Sequence, residues 1–135
     1  MNKLLMAALC AALACGSAWA ADPIRHEEIV LTHAAPLQKI SGKIKGRATA
    51  EYSIAVPAGA RIDIRLTGAN RSANFNVTAA GADEALFVGS RDGARFQATA
   101  PTATVYRVNV YLMRNAARRN ESASFVLEAG LGAAR

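Results

Sequence analysis

Apolar and polar positions alternate along most of the chain beyond residue 20. Tyr52, Ile54 and Val56 alternate with Ser53 and Ala55, and the pattern breaks at Pro57-Ala58-Gly59, a turn signal. Ile62, Ile64 and Leu66 alternate with Arg61, Asp63 and Arg65. Successive side chains on a strand point to opposite faces, so each segment predicts a strand with one buried and one wet face. Phe75 and Val77, set between Asn74, Asn76 and Thr78, repeat the pattern, and Leu86-Phe87-Val88 is a short apolar run. The longest alternation runs from Thr104 to Met113. Tyr106, Val108, Val110 and Leu112 share one face there, with Arg107, Asn109 and Tyr111 opposite. A last strand is expected over about Ser122 to Glu128, and the Gly130–Arg135 tail is expected to fray. Glycines at 42, 46, 59, 68, 81, 89 and 93 read as turn markers between these segments. Short strands separated by Gly-containing turns predict an all-β fold, an antiparallel β-sandwich of about eight strands. No long segment has helical periodicity, and no internal repeat or linker interrupts the chain.

The first twenty residues follow another pattern. Met1-Asn2-Lys3 precedes an apolar run from Leu4 to Cys15, and Gly16-Ser17-Ala18-Trp19-Ala20 follows. A charged start, an apolar stretch and an Ala-x-Ala site make a secretory signal peptide. Cleavage is expected between Ala20 and Ala21. Residues 1–20 are then the signal and residues 21–135 a single β-sandwich domain, exported and periplasmic. The apolar run is too short to span a bilayer, and no later stretch is longer. Both cysteines, Cys10 and Cys15, lie in the signal, so the exported part has no thiol and no disulfide. Ala12-Leu13-Ala14 before Cys15 matches a lipoprotein box poorly, which favours cleavage over lipid attachment.

Composition sharpens this picture in two ways. The chain is 52% hydrophobic and 19% charged, which excludes bulk disorder. Much of the apolar content is alanine, so the core must come from Ile, Val, Leu and aromatics, which favour sheet. Of the 16 Lys and Arg only Lys3 precedes residue 21, while all 10 Asp and Glu follow it, so the exported part carries +5. Such a protein meets anionic partners: cell-wall polymer, lipid headgroups, nucleic acid or an acidic cleft.

Catalytic chemistry finds no footing. No serine sits in a Gly-x-Ser-x-Gly elbow, and no matched acid–base pair presents itself. His26-Glu27-Glu28 with His33 fits no metal-ligand spacing, and alternation would turn the neighbours to opposite faces. We therefore expect no enzyme activity, no cofactor and no metal.

Two basic segments stand apart. Arg114-Asn115-Ala116-Ala117-Arg118-Arg119-Asn120 joins the two best-defined strands. If it makes a helical turn, Arg114 and Arg118 fall at i and i+4 on one face, a fork for carboxylates or phosphates. Alternatively, one Arg packs against Glu121 or Glu51 and the others are simply solvated. Ser41-Gly42-Lys43-Ile44-Lys45-Gly46-Arg47 is read as a second basic turn, whose glycines would let backbone approach a partner. Its plainer reading is a hairpin corner.

At these segments the chain resembles the periplasmic inhibitors of g-type lysozyme of Gram-negative bacteria. That family shows Ser-Gly-x-Ile-Lys-Gly and Arg-Asn-x-Ala-Arg-(Lys/Arg)-Asn, and the resemblance covers roughly Ser41 to Leu127, with a poorly matched middle from Arg71 to Ala103. It implies a β-sandwich whose loops plug the lysozyme active-site cleft. It also implies that Arg114 and Arg118 are the inserted cations, with Asn115 and Arg119 beside them and Ser41, Gly42, Lys45, Gly46 and Arg47 in the neighbouring loop. The family commonly carries Tyr where this chain has Arg47, and aromatics are preferred interface anchors. The stretch from Ile62 to Phe87 also resembles β-sandwich modules appended to secreted bacterial peptidases. The two resemblances agree on fold and differ on function. The implied partner is a g-type lysozyme. The alternative is a cell-envelope module binding an anionic polymer such as peptidoglycan or lipopolysaccharide through the same loops. Nucleic acid is not expected.

Overall fold

The computed structural model of the protein describes residues 24–132; the expected signal peptide with its two cysteines and the expected cleavage site lie outside them. Among the described residues nine strands form two sheets. One contains β1 (Ile24–Ile29), β3 (Thr49–Val56), β5 (Ala73–Ala79), β6 (Ala85–Val88) and β8 (Thr104–Leu112), in the order β1-β3-β8-β5-β6. The other contains β2 (Leu37–Lys45), β4 (Arg61–Gly68), β7 (Arg95–Thr99) and β9 (Ser122–Gly132), in the order β2-β9-β4-β7. Two short helices, α1 (Gly89–Asp92) and α2 (Arg114–Arg118), connect strands.

The alternating apolar positions fill the space between the sheets. Tyr52, Ile54, Val56, Ile62, Ile64, Phe75, Val77, Tyr106, Val108, Val110 and Leu127 are all buried. Phe75, Phe87, Phe96 and Tyr106 form a chain of ring contacts at 4.8, 5.7 and 5.9 Å. The all-β sandwich is thus the fold that the alternation predicts.

Four local expectations need correction. Strand pairing is not wholly antiparallel: β1 runs parallel to β3, from Ile24↔Thr49 to Ile29↔Ile54. β1 hides in the sequence because Arg25-His26-Glu27-Glu28 is polar and this edge strand buries Ile29. β7 hides for a similar reason, since Phe96 is its buried residue. The expected turn over Ser41–Arg47 is strand as far as Lys45, and the turn itself is Gly46-Arg47. Gly42 masks that strand: Ile40, Gly42 and Ile44 face inward, and Ser41, Lys43 and Lys45 face outward. Finally, Gly130 to Gly132 extend β9, with Gly130 opposite both Leu37 and Asp63, while the rest of the expected frayed tail, 133–135, lies outside the described residues.

Among the described residues one core group lacks a partner. The Tyr52 hydroxyl is buried with no hydrogen bond there, and burial, reinforced by the Glu27 carboxylate, pushes its phenol pKa up. A buried hydroxyl without a partner costs stability, since it gave up its water for no new bond. Tyr52→Phe should therefore match or exceed the parent in urea denaturation, within about 1 kcal/mol. A loss above about 2 kcal/mol would reveal a partner for the hydroxyl.

Candidate functional site

The β2–β3 turn and the β8–β9 connection meet at one end of the sandwich. The Arg114–Asn120 segment does take a helical turn there, as α2. Ala116 is fully buried and anchors the turn to the core. The Ala117 N–H donates to the Met113 carbonyl at 2.9 Å and the Asn120 N–H to the Ala117 carbonyl at 3.0 Å. Small alanines let the helix lie this close, so the long cations project outward.

The two connections are stitched together. The Gly46 N–H donates to the Glu121 carbonyl at 2.9 Å, and the Glu121 N–H to the Ala116 carbonyl at 3.1 Å. Gly46 has φ +60° and Asn120 φ +54°, left-handed values that Gly and Asn tolerate best. A Cβ on Gly46 would stand 2.6 Å from Asn120 Oδ1, so a larger residue would also have to displace that exposed amide.

Between them lies an open cleft of 350 Å³. The turn contributes Gly46, Arg47, Ala48 and Thr49, and the other connection contributes Arg114, Ala117 and Arg118, with Tyr111 and Leu112 from β8. Arg114, Arg118 and Arg47 are exposed, and among the described residues none has a salt-bridge partner. A guanidinium stays charged at any pH the protein meets. The cleft is therefore a cationic fork able to grip a carboxylate or phosphate at two points.

Arg119 differs. Its Nε donates to Glu121 Oε2 at 2.7 Å, while Asn70 Nδ2 donates to Glu121 Oε1 at 3.2 Å. The two readings of this basic segment thus divide among its residues: Arg119 is tied down, and Arg114 and Arg118 are exposed on the cleft. Asn115 is exposed on α2, its Oδ1 accepting from the Ala116 N–H at 2.9 Å. Lys45 is exposed at the end of β2, beside the turn.

Ser41 and Gly42 are not among the residues lining this cleft. They lie mid-strand in β2, along a shallow groove shared with Lys43 and Ser124. Gly42 faces inward, where the Phe125 ring covers it. Tyr111 is the residue that sequence reasoning missed. It lines the cleft and its hydroxyl donates to Asn76 Oδ1 at 3.2 Å. An aromatic on the wet face of β8, three positions before Arg114, was its signal. Among the described residues no group of His, Cys, Asp and Glu could hold a metal. His26 Nδ1 sits 3.7 Å from Glu51 Oε1, and His33 is exposed between β1 and β2.

No protein-family model matches the chain, and neither does any curated protein. Solved structures do. PliG of Aeromonas hydrophila, a periplasmic lysozyme inhibitor of g-type lysozyme, has a TM-score of 0.72 at 30% identity, over 82% of this chain and 99% of its own. PliG of Salmonella Typhimurium, an inhibitor of the same kind, has a TM-score of 0.63 at 19% identity, over 79% of this chain and 97% of its own. The pre-peptidase C-terminal domain of a collagenase from Bacillus anthracis has a TM-score of 0.55 at 18% identity, over 79% of this chain and 96% of its own. At these identities the last two share the fold alone.

Proposed function

The chain belongs to the family of periplasmic inhibitors of g-type lysozyme, and on that premise we propose that it is exported, cleaved after Ala20, and blocks a g-type lysozyme. Residues 21–135 act as one sandwich domain whose α2 end enters the enzyme's active-site cleft. The observation that carries this reading is the pair of exposed guanidiniums, Arg114 and Arg118, facing one cleft with the Gly46-Arg47 turn.

A lysozyme cleft must hold a carboxyl group as general acid, in a groove shaped for an extended glycan. A guanidinium pairs with a carboxylate through two parallel hydrogen bonds, and such charge-assisted bonds are short and strong. An inserted Arg118, with Arg114 beside it, neutralises that group and fills the glycan's place. The protein acts as a plug, performing no chemistry itself. Gly46, Lys45, Asn115 and Arg47 form the rim of the contact, and Arg119 stiffens it through Glu121. Arg47 replaces the family's aromatic, and Tyr111 offers an aromatic surface to the same cleft. Ser41 and Gly42 serve this contact indirectly, by placing β2.

The test uses protein recovered from the periplasm. Its intact mass should begin at Ala21. Titrated into g-type, c-type and i-type lysozyme assays on one wall substrate, it should silence the g-type enzyme with a saturating dose response and spare the others. An unaffected g-type enzyme overturns the reading.

A further inference from the structure

The outer face of the four-stranded sheet carries an excess of positive charge. Lys39, Lys43 and Lys45 of β2, Arg61 and Arg65 of β4, and Arg95 of β7 all lie on it, exposed. Its two carboxylates are both engaged. Asp63 accepts from Arg95 Nε and Nη2 at 3.0 and 2.6 Å, and Glu128 Oε1 lies 3.2 Å from Lys39 Nζ. Lys43, Lys45, Arg61 and Arg65 are left without a salt-bridge partner among the described residues. The opposite sheet is different: its outer face carries Glu28 and Glu51 along with His26 and Arg107. The chain's excess of positive charge is therefore concentrated on one side.

We propose that this face docks on an anionic lipid surface, a headgroup layer bearing phosphate charge. Three features favour lipid over a soluble polyanion. The unpaired cations sit on β2 and β4, with β9 between them, so the charge is spread across the width of the sheet. Charge spread this way matches a headgroup layer, where each nearby Lys or Arg adds to attraction. No aromatic side chain points outward from β2, β9, β4 or β7, so the stacking platform that holds single-stranded nucleic acid is absent from this face. Leu37, 56% exposed, sits on the same face beside Lys39 and offers the apolar contact that interfacial binding uses. Arg114 and Arg118 belong to the end of the sandwich, so lipid docking and the α2 cleft share only Lys45, at their border.

The experiment is co-sedimentation of the periplasmically produced protein with vesicles. One set contains phosphatidylglycerol in phosphatidylcholine, the other phosphatidylcholine alone. The protein should sediment with the first and not the second, and added salt should release it. The triple variant Lys43→Gln, Arg61→Gln, Arg65→Gln should lower partitioning roughly 100-fold, since each cation contributes about fivefold. Lys45 is left intact because it borders the cleft. The double variant Arg114→Gln, Arg118→Gln should stay within about threefold of the parent. Circular dichroism and lysozyme titration of the triple variant keep the test independent of folding. The proposal fails if the two vesicle sets bind alike or if the folded triple variant binds as the parent does. It also fails if the Arg114/Arg118 variant alone abolishes binding, or if dextran sulfate binds this face while vesicles do not.

Discussion

Arg118→Ala should weaken the complex with g-type lysozyme by about 2–5 kcal/mol, the cost of leaving a buried charge without its partner. Arg118 is exposed and makes no salt bridge among the described residues. Such a surface cation contributes little to folding, so thermal unfolding of the variant should follow the parent. Arg118→Lys should recover part of the loss, because an ammonium keeps the charge but not the planar two-point contact. Binding is best followed by calorimetry alongside inhibition, so that affinity and blocking are read separately. A variant that unfolds would make Arg118 structural. A folded variant that inhibits as before would remove α2 from the site and leave the Gly46-Arg47 turn as the next candidate.

Gly42→Ala should destabilise the fold by about 1–3 kcal/mol, the usual cost of overpacking a well-filled core. A Cβ at this position would come within 3.0 Å of Cζ, Cε1 and Cε2 of Phe125. The ring has little freedom to retreat, since it is buried and meets Tyr52 edge-on at 6.5 Å. Urea denaturation reads the loss. Combining Gly42→Ala with Phe125→Leu should cost less than the two changes summed, because the smaller side chain vacates the space the new methyl needs. A stable Gly42→Ala protein that no longer inhibits would instead place Gly42 in the interface itself.

These two residues mark how far the sequence can be read. Period-two alternation exposed β3, β4, β5 and β8 because each buries at least two side chains on one face and wets the other. The same reasoning missed β1 and β7, edge strands whose pattern is too short or too polar to register. It turned β2 into a loop because a glycine in an inward position looks like a break, when here it is space reserved for a ring from β9. Of the site, Arg114 and Arg118 at i and i+4 were legible once a helical turn was allowed. The Arg119–Glu121 pair lies within reach of local reasoning, since Glu121 is two positions away, but Asn70, which donates to the other oxygen of Glu121, is brought in by tertiary contact. Tyr111 and the approach of Gly46 to Asn120 are likewise tertiary facts, and no local pattern encodes them.

The position of β9 bears on how the molecule forms. It lies between β2 and β4, pairing Leu37–Lys45 on one side and Arg61–Gly68 on the other. Until residues 122–132 have emerged, β2 and β4 have no neighbour in common and their half of the core has no centre. Such long-range pairing is slow, since loop closure must precede the reward. A chain released in order from its N-terminus would therefore complete this sheet late, around its final strand. Late closure of this sheet would suit the export proposed above, in which the chain crosses a membrane before it folds.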